Sequence, residues 1–200
     1  MRTRQFCSIA SFLFAVGTSG VGTASVFLPA GAGPVVLPGA TSAAEADLAG
    51  TVISDKMIPF SINNAMGAVL FSGQLQNRVV RSSRNGFLHF YYSIRNTRPG
   101  LNGVIRSVFT RTFAATPNVF VDWRPDGLGQ INPVTATRTS GVGDLIRFNF
   151  VPSGSALISG RESKFFFIKT KVANYIANGQ TRIQLTSGES VVLNTMSPIN

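Results

Sequence analysis

His89 is the only histidine in this 200-residue chain, so any imidazole base or hydrolytic triad would have to be built on it. Its neighbours alternate. Leu88, Phe90, Tyr92 and Ile94 share one face of an extended segment; Phe87, His89, Tyr91, Ser93 and Arg95 share the other. Alternation therefore sets His89 on the wetter face, as an exposed strand histidine with no catalytic role. There is no Gly-x-Ser-x-Gly elbow, and the one cysteine, Cys7, lies near the N-terminus. Acyl transfer has no apparatus here, and the expectation is a protein that is not an enzyme.

Carboxylates are the next candidates. Paired acids could run glycoside hydrolysis, and the acids are Glu45, Asp47, Asp55, Asp122, Asp126, Asp144, Glu162 and Glu189. Asp122 and Asp126, with the carbonyls around Gly127, offer oxygen ligands of the kind a hard cation such as calcium takes. Their spacing matches no dedicated calcium loop. Asp126 sits in Pro125-Asp126-Gly127, where a turn alone accounts for it. Asp122 alternates with Phe120 and Arg124 and also suits an ion pair with an arginine. A transition metal would need His or Cys clusters, and the sequence has none. No phosphate loop or dinucleotide fingerprint occurs, so no cofactor is implied.

Charge is the feature that stands out. Setting Arg2 and Arg4 aside from eighteen bases leaves sixteen against eight acids, a net charge near +8. Twelve of the sixteen are arginine, whose planar fork binds carboxylate, sulfate and phosphate in pairs of hydrogen bonds. Arg78, Arg81 and Arg84 recur every third residue, and Arg95 and Arg147 fall on outward faces if alternation holds. These five are the candidate anion-binding residues, for an acidic polysaccharide or another envelope polymer. Arginines on sheet surfaces also keep edges soluble and stop edge-to-edge pairing, a bland account of the same residues. No nucleic-acid recognition motif accompanies the charge. Trp123, the sole tryptophan, could stack on a sugar, but it alternates with Val119 and Val121 and reads as core.

These side chains need a scaffold, and the N-terminus says where it is built. Arg2 and Arg4 precede an apolar run from Phe6 to Val16 and then small residues, the layout of a secretory signal peptide. Cleavage would follow Ala24 or Ala32. The run is too short to span a bilayer, so no transmembrane segment is expected in the mature chain. Residues 33–50 are rich in Ala, Gly and Pro and read as a flexible linker. The expected plan is a signal peptide over 1–32, a linker over 33–50 and one domain over 51–200. A mature chain without cysteine must be held by its core alone.

From residue 51 the pattern has period two. Asn85-Gly86 marks a hairpin between the segments 74–82 and 87–95. Further strands are expected over 104–113, 118–124, 134–139, 144–151, 163–170, 180–186 and 189–194, separated by turns such as Ser140-Gly141, Ser153-Gly154 and Ser187-Gly188. Within 144–151, Ile146, Phe148 and Phe150 point one way, and Arg147 and Asn149 the other. Phe165-Phe166-Phe167-Ile168 is apolar on both faces, as a central strand covered on both sides would be. Residues 171–178 have room for one helical turn. About nine short strands predict an all-β antiparallel sandwich, Ig-like or jelly-roll-like, with a barrel as the alternative.

Three stretches carry a resemblance: Gly86-Phe87-Leu88-His89-Phe90-Tyr91-Tyr92-Ser93-Ile94, Asp144-Leu145-Ile146-Arg147-Phe148-Asn149-Phe150, and Glu162-Ser163-Lys164-Phe165-Phe166-Phe167-Ile168-Lys169-Thr170. Over residues 73–186 the chain resembles uncharacterised bacterial exported β-sandwich proteins, some of which carry C-terminal sorting tails; no such tail is visible here. The resemblance implies a secreted, periplasmic or envelope setting and supplies no activity. The expected function is a non-catalytic binding or structural module of the envelope or extracellular matrix. The alternative is a carbohydrate-active enzyme or a calcium-dependent carbohydrate-binding protein using Asp122 and Asp126.

Overall fold

A strand with one oily face must bury it against another sheet, and this chain does so with two antiparallel sheets packed face to face. The computed structural model describes residues 23–114, 116–151 and 156–199. Residues 1–22, most of the expected signal peptide, lie outside them, as does the turn expected at Ser153-Gly154. In chain order the strands are β1 (Val26–Phe27), β2 (Val35–Val36), β3 (Gly50–Asn63), β4 (Val69–Ser82), β5 (Leu88–Arg95), β6 (Val104–Thr110), β7 (Phe120–Trp123), β8 (Thr135–Arg138), β9 (Ile146–Asn149), β10 (Leu157–Ile158), β11 (Phe166–Lys169), β12 (Asn174–Leu185) and β13 (Ser190–Ile199). The first sheet runs β1-β7-β11-β5-β4-β3. The second runs β13-β12-β6-β9-β8-β2, with β10 also paired to β6. Among the described residues no helix is long and apolar enough to cross a membrane.

The interior follows the alternation. Leu88, Phe90, Tyr92 and Ile94 of β5 are buried against the second sheet, and Ile146 and Phe148 of β9, with Phe150 just beyond it, are fully enclosed. Phe166 of β11 lies at the centre, with ring centroids 4.8 Å from Phe148, 5.7 Å from Phe150 and 5.8 Å from Tyr92. Each such ring contributes roughly 2–3 kcal/mol through burial. Two polar links tie the sheets together: Tyr92 Oη and Thr110 Oγ1 are 3.1 Å apart, and the Met196 amide donates to Asn77 Oδ1 at 2.7 Å.

The hairpin at Asn85-Gly86 is present between the expected segments, closing over residues 83–86 with the Ser82 amide donating to the Phe87 carbonyl and Gly86 at φ +75°. The structure departs from the sequence reading elsewhere. Residues 171–178 form no helical turn; β12 already begins at Asn174. The 14-residue β3 stands where no separate strand was expected. The largest departure lies further upstream. The stretch 33–50 packs against the sandwich instead of acting as a linker.

That stretch supplies β2, which pairs β8, and then lies across the outer face of the first sheet as a strap. Ala40 and Leu48 join Val80, Tyr91, Phe165 and Phe167 in a second, smaller core. Hence Phe165–Ile168 is apolar on both faces: β11 is central, with the other sheet below and the strap above. Lys169 clamps the strap through ion pairs to Glu45 and Asp47, and Arg124 Nη1 reaches the Leu48 carbonyl at 3.4 Å. The turn before it needs glycine. Gly39 has φ +95°, and a Cβ there would sit 2.9 Å from the Trp123 ring. Trp123 itself is half-buried and donates its indole N–H to the Leu37 carbonyl at 3.0 Å.

Candidate functional site

Among the described residues, the outer face of the second sheet carries four arginines and no carboxylate. None of its strands contains Asp or Glu. Arg147 on β9 pairs in register with Phe109 on β6, and Phe109 pairs with Arg182 on β12. The row is completed by Thr137 on β8 and Val192 on β13. Arg106, at an irregularity in β6, and Arg111, just after it, extend the basic surface along that strand.

Phe109 organises this face. Its ring is nearly buried, with the Arg182 guanidinium 4.2 Å and the Arg147 guanidinium 5.0 Å from its centroid. Stacking on a ring holds a guanidinium flat and leaves its N–H edges available to an anion. Arg147 is steadied further by donating through Nε and Nη2 to Ser107 Oγ at 3.1 and 2.9 Å. Burial, together with the neighbouring charges of Arg106 and Arg182, lowers the Arg147 pKa. Among the described residues the five ion pairs involve none of Arg106, Arg111, Arg147 and Arg182. The nearest acids in sequence are Asp144 and Glu189, both outside the strands, and Asp144 accepts the Thr112 amide at 2.8 Å. The face is a cluster of like charges held together by aromatic and hydroxyl contacts.

The five arginines singled out from the sequence do not share a surface. Only Arg147 belongs to this face. Arg78 and Arg95 lie on the first sheet, in ion pairs with Asp55 at 2.7 Å and Glu162 at 3.3 Å. Arg81 is spent on the carbonyls of Gly86 and Ala173, and Arg84 is exposed in the β4–β5 turn. Alternation gave each residue a face of its own strand, but strand pairing decides which faces meet.

The first sheet has an open groove of about 550 Å³ beside the strap. Arg78, Arg95 and Arg124 line it together with Gln76, Tyr91 and Leu128. Arg124 was not among the candidate anion-binding residues read from the sequence. It makes a bidentate pair with Asp126, at 2.8 and 2.7 Å, and hydrogen bonding from this guanidinium holds the Asp126 carboxyl below its ordinary range. Among the described residues Asp122 pairs with no arginine. It is buried, and Oδ1 accepts the amides of Gly39 at 2.8 Å and Trp123 at 2.9 Å. Asp122 and Asp126 are thus committed to different partners, and among the described residues no group of three or more His, Cys, Asp or Glu could hold a metal ion.

His89 corrects the sequence reading. It is fully buried, because the strap covers the face that alternation left open, and among the described residues neither ring nitrogen has a hydrogen-bond partner. Burial pushes its pKa down to about 4, so the imidazole is neutral at pH 7.

No family model, curated protein or solved structure matches the chain.

Proposed function

We propose that the chain is an exported, non-catalytic binding module that holds anionic polymers on the outer face of its second sheet. The observation that carries this reading is the cluster of Arg106, Arg111, Arg147 and Arg182 around Phe109 with no carboxylate to neutralise it. Clustered like charges oppose folding, and a polyanion offsets that repulsion while gaining charge-assisted hydrogen bonds. Six of the eight acids, Glu45, Asp47, Asp55, Asp122, Asp126 and Glu162, sit against the first sheet instead, where all but Asp122 are in ion pairs, so the uncompensated positive charge belongs to the second face. An acidic polysaccharide of the envelope or matrix is the partner this face suits.

Chromatography on immobilised heparin tests it. The wild-type chain is expected to stay bound at physiological salt and to elute as salt rises. Arg147→Gln/Arg182→Gln is expected to elute earlier, with the dependence of log affinity on log salt shallower by roughly two charges. Flow-through at physiological salt, or unchanged retention of the double variant, would reject the reading.

Export carries a prediction of its own. Leu28 is fully buried, and its amide donates to the Val119 carbonyl at 2.9 Å beside the β1–β7 pair. Cleavage after Ala32 would strip both from the fold, whereas cleavage after Ala24 keeps them. Mass spectrometry of the exported protein is expected to find Ser25 as its first residue; Gly33 in that position would contradict it.

A further inference from the structure

We infer that the groove on the first sheet binds an uncharged glycan chain, a ligand class distinct from the polyanion assigned to the opposite face. The groove holds three arginines, yet each is matched by one carboxylate: Arg78 by Asp55, Arg95 by Glu162 and Arg124 by Asp126. Its charges therefore cancel. An anionic ligand would have to compete with carboxylates already 2.7–3.3 Å from the guanidinium nitrogens, while a cation would have to compete with the arginines. A neutral ligand faces neither cost.

What the groove presents is donors from three paired arginines beside Asp126, the one carboxylate of the three that lines it. An arginine–carboxylate pair offers N–H edges beside carboxylate lone pairs, and a hydroxyl is the group that both accepts from the first and donates to the second. Gln76 adds a further amide, itself fixed by donating to Asp55 Oδ1 at 2.9 Å. Vicinal hydroxyls on a sugar ring match such a row without disturbing the ion pairs. The polar groups are also held in place. Arg78 lies over the Phe165 ring at 4.8 Å, and Arg124 Nη1 is 3.4 Å from both the Leu48 carbonyl and Tyr91 Oη. Fixed groups lose little freedom when a ligand arrives.

Two further observations point to an occupant. Arg95 lines the groove, and its Nη1 is buried with no hydrogen-bond partner among the described residues. An unmet buried donor is unfavourable, and a small turn of the side chain toward the groove would let a ligand oxygen satisfy it. Val52 and Leu128 are 47% and 69% exposed in the same groove and give the apolar C–H faces of a sugar a surface to lie on. The volume, about 550 Å³, falls within the range of small-ligand sites. The open form suits a chain passing along the sheet.

The test is an array of uncharged glycans (α- and β-glucans, xylans, mannans and galactans) probed with the full mature protein in 0.5 M NaCl, where binding by the basic face is suppressed. At least one glycan is expected to bind. Gln76→Ala and Arg95→Met are each expected to weaken that binding about tenfold, a loss of roughly 1.4 kcal/mol. Arg147→Gln/Arg182→Gln is expected to leave it unchanged. Gln76→Ala removes a surface amide and keeps all three ion pairs, so it reads the site even where Arg95→Met fails to fold. Binding of no array member would overturn the inference, as would full binding by Gln76→Ala or loss of binding as salt rises. Heparin retention is scored separately, so failure here leaves the polyanion reading standing, and the reverse holds.

Discussion

Replacing Arg138 with methionine is expected to lower the free energy of unfolding by on the order of 4 kcal/mol, enough to leave a domain of ordinary stability marginal. Arg138 alternates with Ala136 on the inward side of β8 and is only 3% exposed. Among the described residues no carboxylate meets it. Its guanidinium donates instead to five backbone carbonyls: Gly143 at 2.8 Å, Leu28 at 3.2 Å, Pro117 at 3.0 Å, Phe113 at 3.1 Å and Thr116 at 2.7 Å. Those carbonyls belong to the N-terminal segment, the β6–β7 connection and the β8–β9 connection, so one side chain ties three loops across the end of the sandwich. Gly143 is part of the arrangement. It has φ +65°, and a Cβ there would lie 2.6 Å from Arg138 Nε.

Methionine keeps most of the aliphatic stem and removes every donor, leaving the carbonyls without that partner in a dry site. The losses do not add, because the five bonds share one group. Lysine is not expected to rescue the fold, since three donors on one nitrogen cannot span acceptors arranged around a planar fork. Urea unfolding measures the loss. Hydrogen exchange at the Leu28 amide locates it, because that segment loses its tie to the far sheet. An unfolding midpoint equal to wild type would show that the carbonyls find water at no cost and would discard this account of Arg138.

Much of the framework was legible because alternation is a local property. Ile146, Phe148 and Phe150 announce a buried face whatever the rest of the chain does, and the double-sided apolar run at Phe165–Ile168 announces a covered central strand. What covers it was not legible. Residues 33–50 have the small, uncharged composition of a flexible linker, and the same composition serves a strap that must lie close on a sheet. Gly39 against Trp123 shows the reason: the glycine that reads as looseness is required by contact.

The misplacement of His89 follows from the same gap, since alternation names a face and says nothing of what lies on it. The basic face was hidden for another reason. Arg147, Phe109 and Arg182 meet only because β6 lies between β9 and β12, an adjacency between strands far apart in sequence. A sequence clue did exist: β6, β9 and β12 each carry arginine and no acid. It became meaningful once the strands were ordered.

Between pH 6.5 and 4, wild-type stability is expected to show almost no contribution from its two buried titrating groups, and Asp122→Asn is expected to expose a loss of about 3 kcal/mol over that range. Burial pushes His89 from 6.5 down to about 4 and Asp122 from 3.8 up to about 6. For His89 the unfolded chain binds the proton more tightly, so its contribution is complete above pH 6.5 and is lost as pH falls toward 4. For Asp122 the folded chain binds the proton more tightly, so its contribution is complete below pH 3.8 and is lost as pH rises through 6. Each shift of two or so units corresponds to about 3 kcal/mol, and the two act in opposite directions across one window.

Asn at position 122 retains an oxygen for the Gly39 and Trp123 amides but cannot titrate, so the histidine's acid sensitivity stands alone. His89→Phe leaves the carboxyl alone and is expected to gain stability as pH falls from 6 to 4. The double variant returns to the wild-type pH dependence. Paired carboxylates elsewhere, such as Asp126 with Arg124, contribute equally to all four proteins and drop out of the differences. Urea unfolding at half-unit pH steps gives the four curves. Parallel wild-type and Asp122→Asn curves would mean that the strap opens to water well before the chain unfolds, and neither group would then be sealed beneath it.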